Sequence, residues 1–178
     1  MVEQQLAHKR LDELQVNDIV AAARISRPTF YAHFDTKYSV VASEVAEMGA
    51  GVYALWAPLF ESSGLIEPDV ILECARATIA AWRERAALCI ATTEGWHTSP
   101  EIHDAWNPVL LRFNSGLLDR LSRSGIEVPN PEGTAAALVA MFERCMYLTV
   151  AVPESSLYDQ DEELAAVMAR LWSLALTP

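Results

Sequence analysis

The chain has 178 residues, 52% of them hydrophobic, and a formal net charge of −11. That is enough apolar material for one substantial core, or for one domain with a small appendage. No run approaches the roughly eighteen consecutive apolar residues of a membrane span, the start MVEQQLAHKR lacks a secretory signal's apolar stretch, and three separated cysteines with apolar neighbours read as reduced thiols of a soluble, cytoplasmic protein.

Caps, breakers and apolar periodicity predict helices over 1–10, 16–23, 27–33, 37–61, 68–92, 101–124, 132–151 and 160–176. No stretch alternates with period two for long, so the fold class is all-α. The acid is unevenly spread. Residues 1–44 hold five Lys or Arg against six Asp or Glu, whereas residues 45–178 hold eight against eighteen. The expected organisation is a near-neutral head over 1–44 and an acidic body over 45–178.

The head carries the most informative stretch, ISRPTFYAHFDTK, residues 25–37. Ahead of it, VNDIVAAARIS sets Val16, Ile19, Val20 and Ala23 on one stripe of a short helix, and a turn of about three residues leads to a second helix beginning at Ser26. This is a helix-turn-helix outline. Ser26 is a suitable N-cap, and Pro28 is tolerated in a first turn, where its missing N–H would be unpaired anyway. In such a unit the second helix meets base edges in the major groove while flanking polar groups hold phosphates. Arg27, Thr29 and His33 are candidate readers; Tyr31 and Lys37 are candidate phosphate contacts; Phe30 and Phe34 should face inward.

The run from Asp18 to Lys37, DIVAAARISRPTFYAHFDTK, resembles the helix-turn-helix of TetR-family transcriptional repressors, and ISRPTFY is especially similar to the EthR-like branch. The resemblance implies that Ser26, Thr29, Tyr31 and Lys37 touch backbone phosphates and that Arg27, Pro28 and His33 lie where bases are read. It departs from the family at Arg24, where a Gly is usual. A left-handed backbone there costs a non-Gly residue on the order of 1 kcal/mol, and DNA affinity from Arg24 would offset it. The resemblance also implies about two more helical turns ahead of Met1, so the head is expected to be incomplete.

The body holds all five tryptophans. Ile71, Thr78 and Trp82 share one helical face, and Trp106, Leu110, Phe113 and Leu117 share another. Such stripes are core first. The family resemblance implies in addition that the body binds an apolar effector, with Trp82, Trp106, Leu110, Phe113, Phe142 and Trp172 as its walls and Thr78 or Tyr147 as polar handles. EthR-like relatives carry asparagines on the helix that here reads LVAMFERC, so an amide-bonding ligand is not expected. TAAALVAMFERCMYLTV and LAAVMARLWSLAL are apolar around much of their circumference, which together with the family habit implies a homodimer formed through the last two helices.

No Gly-rich phosphate loop, G-x-S-x-G elbow or Cys pair occurs, and WHTSPEIHD lacks a His-x-x-x-His pair despite holding His97, Glu101, His103 and Asp104. The expectation is therefore no enzyme, metal or cofactor, but a ligand-responsive homodimeric repressor whose partners are operator DNA and a hydrophobic small molecule, not a membrane. The competing expectation is a helical small-molecule-binding protein with a non-functional head.

Overall fold

The computed structural model describes residues 2–125, 127–151, 158 and 160–176. Among these residues every regular element is an α-helix: α1 (Val2–Leu6), α2 (Val16–Ala23), α3 (Arg27–Tyr31), α4 (Lys37–Leu55), α5 (Ala57–Phe60), α6 (Pro68–Glu84), α7 (Ala86–Gly95), α8 (Pro100–Ser124), α9 (Pro131–Ala151) and α10 (Asp161–Leu176). The all-α reading therefore holds, with three departures in detail. The helix expected over 37–61 breaks at Trp56, where Pro58 in the next first turn has no N–H to continue the ladder. The helix expected over 68–92 breaks at Arg85, whose φ −112°, ψ 32° is not helical. The first helix stops at Leu6, well short of residue 10.

The chain packs as two compact units. The first comprises Met1–Gly49 and Arg85–Pro108, so the head expected over 1–44 lies wholly within a unit that also contains α7 and the start of α8. Its core includes Leu14, Ile19, Phe30, Val41, Val45 and Leu88. Arg85 explains the break it occupies: its Nε donates to Glu3 (2.6 Å) and its Nη2 to Glu44 (2.8 Å), tying the loop before α7 to α1 and α4. At the end of α7, a Cβ on Gly95 would stand 2.6 Å from Ile102 and 2.7 Å from Leu11, so a larger residue here would force these side chains to shift.

The second unit comprises Ala50–Glu84 and Val109–Pro178. Apolar faces of α6, α9 and α10 pack together, and ion pairs edge the α6–α10 contact: Arg76 binds Glu162, and Arg83 binds Asp161 at 2.7 Å. By length and composition α9 also meets the test for a membrane span, but a single such helix, packed here on α6 and α10, is what a helical core produces as well. Gly125 ends α8 at φ 69°, as expected of a C-terminal glycine. Cys74, Cys89 and Cys145 form no disulfide, and burial pushes the Cys74 thiol up to about 11.

Candidate nucleic-acid interface and aromatic core

The head is built from its caps outward. Gln15 N–H donates to Asp18 Oδ2 at 2.9 Å at the start of α2, and Lys9 Nζ holds the other oxygen at 2.7 Å. These two donors, Lys9 first, hold the Asp18 carboxyl below its ordinary pKa. At the other end of α2, Arg24 is left-handed at φ 54°, ψ 40°, a conformation that favours glycine and strains an arginine. The turn then delivers Ser26, whose Oγ accepts the Thr29 N–H at 3.2 Å and lies 2.8 Å from the Thr29 hydroxyl. Pro28 sits in the first turn without cost.

This geometry turns one face of α3 outward. Arg24, Ser26, Arg27, Pro28, Thr29, Tyr31 and His33 are all exposed, Tyr31 at 48%, while Phe30 is 1% exposed and its ring meets Tyr31 (5.2 Å) and Phe34 (5.8 Å). Phe34 is half-buried, and His33 lies beyond the last residue of α3. Among the described residues Arg24 and Arg27 make no ion pair, whereas Lys9, Arg10 and Arg85 do. The exposed, unpaired positive charge of this unit is thus concentrated on the turn and on α3. Arg27 and Tyr31 also face the first turn of α2 across an open cleft of about 460 Å³.

Lys37 is employed differently from a simple phosphate clamp. Its ammonium donates to the carbonyls of Leu11 (2.9 Å), Asp12 (2.8 Å) and Leu14 (2.7 Å), which uses all three of its protons. A direct phosphate contact would require giving up one of these bonds. Sequence spacing could not show this, because the carbonyls belong to a loop more than twenty residues away. Next to it, Thr36 caps α4 by accepting the N–H groups of Tyr38 and Ser39 (both 3.1 Å), and Ser39 Oγ accepts the Thr36 N–H in return (2.9 Å).

The Trp96–Asp104 segment holds no metal-like cluster. His97 and His103 lie against the Trp96 ring (5.2 and 6.2 Å), His103 Nδ1 is 3.0 Å from Asp104, and Glu101 accepts hydrogen bonds from Thr36 and Ser99. Among the described residues no three such ligands converge.

In the second unit Trp56, which the sequence reading did not select, is the centre of the aromatic core. Its ring meets Trp172 (4.7 Å), Phe142 (5.4 Å), Phe113 (5.9 Å) and Phe60 (6.1 Å). Phe113, Phe142 and Trp172 from the expected set are therefore brought together, and Trp82 is buried. Thr78 is no free handle: its hydroxyl accepts the Trp56 Nε1–H at 2.8 Å and donates to the Cys74 carbonyl at 2.8 Å. Leu110 is half-buried, and Tyr147 is half-buried beneath the Arg144 guanidinium at 5.1 Å. Trp106 is buried in the first unit.

Residues 3–43 match the family profile described as bacterial regulatory proteins, tetR family. Over 92% of its length the chain superposes on 86% of a solved protein of Syntrophomonas wolfei described as a TetR-family transcriptional regulator, with a TM-score of 0.71 at 12% identity. No functionally curated protein matches the sequence. Residues 3–43 thus form a TetR-type helix-turn-helix domain, and the all-helical fold is shared with that solved TetR-family regulator.

Proposed function

We propose that the protein is a homodimeric, cytoplasmic transcriptional repressor that binds operator DNA through α3 and releases it when a small molecule occupies the body. One observation carries the reading: within the matched N-terminal domain, the unpaired cations Arg24 and Arg27 and the polar groups Ser26, Thr29 and Tyr31 share one exposed surface, backed by the buried Phe30. Arg27, Pro28 and His33 address bases, while Ser26, Thr29 and Tyr31 address phosphates. Lys37 acts by fixing the loop before α2 against α4, and contributes to phosphate binding through that placement. The run ISRPTFY supports assignment to an EthR-like branch.

Repression and release follow from spacing. Two heads of a dimer reach successive major grooves when their recognition helices stand about 34–36 Å apart. α4 leaves the first unit and continues into the second, so a ligand that prefers one arrangement of the body has a covalent route to the head. Only differential affinity shifts the balance, and a coupling of about 1–3 kcal/mol weakens operator binding roughly 5- to 150-fold. The competing reading, a ligand-binding protein whose head grips no DNA, draws on the net charge of −11.

Selection of genomic fragments by the purified protein, followed by titration at several salt concentrations, separates the two. A sequence-preferring complex whose affinity falls steeply with salt is the expected result. Binding no tighter to selected than to random DNA sinks the repressor.

A further inference from the structure

Among the described residues Arg120 is the only charged side chain that the core encloses completely, at 0% exposure. Its Nε donates to the Leu59 carbonyl and to Ser62 Oγ (both 3.1 Å), and its Nη2 donates to the carbonyls of Gly64 (3.0 Å) and Leu65 (3.2 Å). These bonds pin the turn after α5, a structural task that uses two of the three guanidinium nitrogens. The third, Nη1, is buried without a partner. Every acceptor is neutral, and among the described residues no carboxylate pairs with Arg120. Burial, and then the neighbouring Arg123, lower its pKa, but a guanidinium remains protonated. A full positive charge thus stands in the core uncompensated, where buried charges are ordinarily paired.

The turn that Arg120 holds adjoins the aromatic core. Phe60, next to the Leu59 carbonyl that takes Nε, lies against the rings of Trp56 and Phe113. Phe113 and Arg120 are seven residues apart on α8, about two turns along one face, and Gly116 between them lets Phe60 approach: a Cβ there would come within 3.2 Å of that ring. At the far side of Trp56, Trp172 Nε1 is also buried without a partner, although Trp56's own N–H is satisfied by Thr78. Asn114 Oδ1 and Thr149 Oγ1 are unpartnered too, but those side chains can rotate to offer donor or acceptor; Arg120 and Trp172 can only donate.

We infer that the second unit binds a small organic acid with an aromatic or otherwise apolar body, its carboxylate on Arg120 and its body against Phe60 and Phe113. The inference rests on the ligand-responsive reading above and sharpens it, since the effector becomes an anion and not a wholly apolar molecule. A carboxylate at Nη1 pairs the buried charge and accepts its remaining protons in one contact.

The test uses the full-length protein and three probes with one body and different heads: phenylbutyrate, phenylbutanol and phenylbutylamine, followed by tryptophan fluorescence and thermal shift. Phenylbutyrate should bind about tenfold or more tightly than phenylbutanol, with the amine weakest. Arg120→Gln should abolish the preference of acid over alcohol, while Arg170→Gln, at an exposed position of α10, should preserve it. Equal affinity for acid and alcohol overturns the inference and leaves an apolar effector standing; binding of none of the three overturns both. If Arg120→Gln does not fold, a diazirine analogue of phenylbutyrate is photocoupled to the unaltered protein. Labelling within 56–65 or 113–120 supports the assignment, and labelling confined elsewhere overturns it.

Discussion

Thr36 Oγ1 donates to Glu101 Oε1 at 2.9 Å while accepting the first free N–H groups of α4. The cap of the helix that follows the DNA-binding turn is thus fastened to the start of α8, 65 residues along the chain. Glu101 is held from both sides, because Ser99 Oγ donates to its other oxygen at 2.9 Å. The local backbone amide, then Thr36 and Ser99, keep its carboxyl below the ordinary pKa. A depressed carboxyl pKa contributes stability that is complete above the unfolded-state value and is lost as pH falls through the folded one. Thr36→Val should therefore lower stability by about 1 kcal/mol through the lost cap, read from urea midpoints. Glu101→Gln should flatten the acid limb of the stability profile below the usual carboxylate range. An unchanged acid limb in Glu101→Gln would show that the carboxylate contributes nothing there.

Arg24 tests whether strain was accepted for function. Its φ of 54° is left-handed, and Arg24→Gly should leave stability unchanged or raise it by up to about 1 kcal/mol. The same change removes one of the two unpaired cations beside α3, so operator affinity should drop and the slope of affinity against salt should shrink by about one. Loss of stability together with unchanged DNA binding would mean that Arg24 is retained for folding.

Lys37 and Arg27 should separate cleanly. Lys37→Ala leaves three backbone carbonyls without their donor, and should cost about 1–3 kcal/mol of stability before DNA is added. Arg27→Ala, at an exposed position, should change stability by less than about 0.5 kcal/mol and relax sequence preference. Tyr31→Ala should weaken all sequences alike. The check is thermal unfolding alongside binding to selected and scrambled operators.

These contrasts mark what the sequence could convey. The α2–α3 pair was readable because its signals are local: a stripe at Val16, Ile19 and Val20, a hydroxyl cap at Ser26, a proline two residues later. The end of α8 was readable in Gly125. The break at Arg85 was not, because RERAAL has no proline or glycine, and the helix yields to ion pairs with Glu3 and Glu44 far away in the chain. The bonds of Lys37 are hidden from the sequence for the same reason: its partners are distant carbonyls that no residue type announces. In the aromatic core, helical spacing selected Phe113 but passed over Trp56, which stands at a break between helices where periodicity carries no information. Thr78 looked like a handle by its place on a stripe, and only the position of the Trp56 indole shows its hydroxyl to be spoken for.

The proposed dimer yields the last contrast, because two apolar residues of the final helices have opposite surroundings. Leu174 is 68% exposed and Leu171, three residues earlier on the same face of α10, is 39% exposed, as is Leu148 of α9. Phe142, by comparison, is enclosed by the rings of Trp56 and Trp172. A carboxylate in place of Leu174 disturbs only a surface that a partner would cover, so Leu174→Asp should give a folded monomer. Phe142→Asp buries a charge and opens a cavity, at a cost of about 3–5 kcal/mol, and should unfold the body instead of dissociating it. The monomer has one recognition helix where an operator offers two grooves, so it should bind a single half-site weakly and lose its preference for half-sites set about 34–36 Å apart. Light scattering, far-ultraviolet circular dichroism and binding to operators of altered spacing distinguish these outcomes. A monodisperse monomer in the unaltered protein would remove the interface, and with it the spacing on which release by a ligand depends.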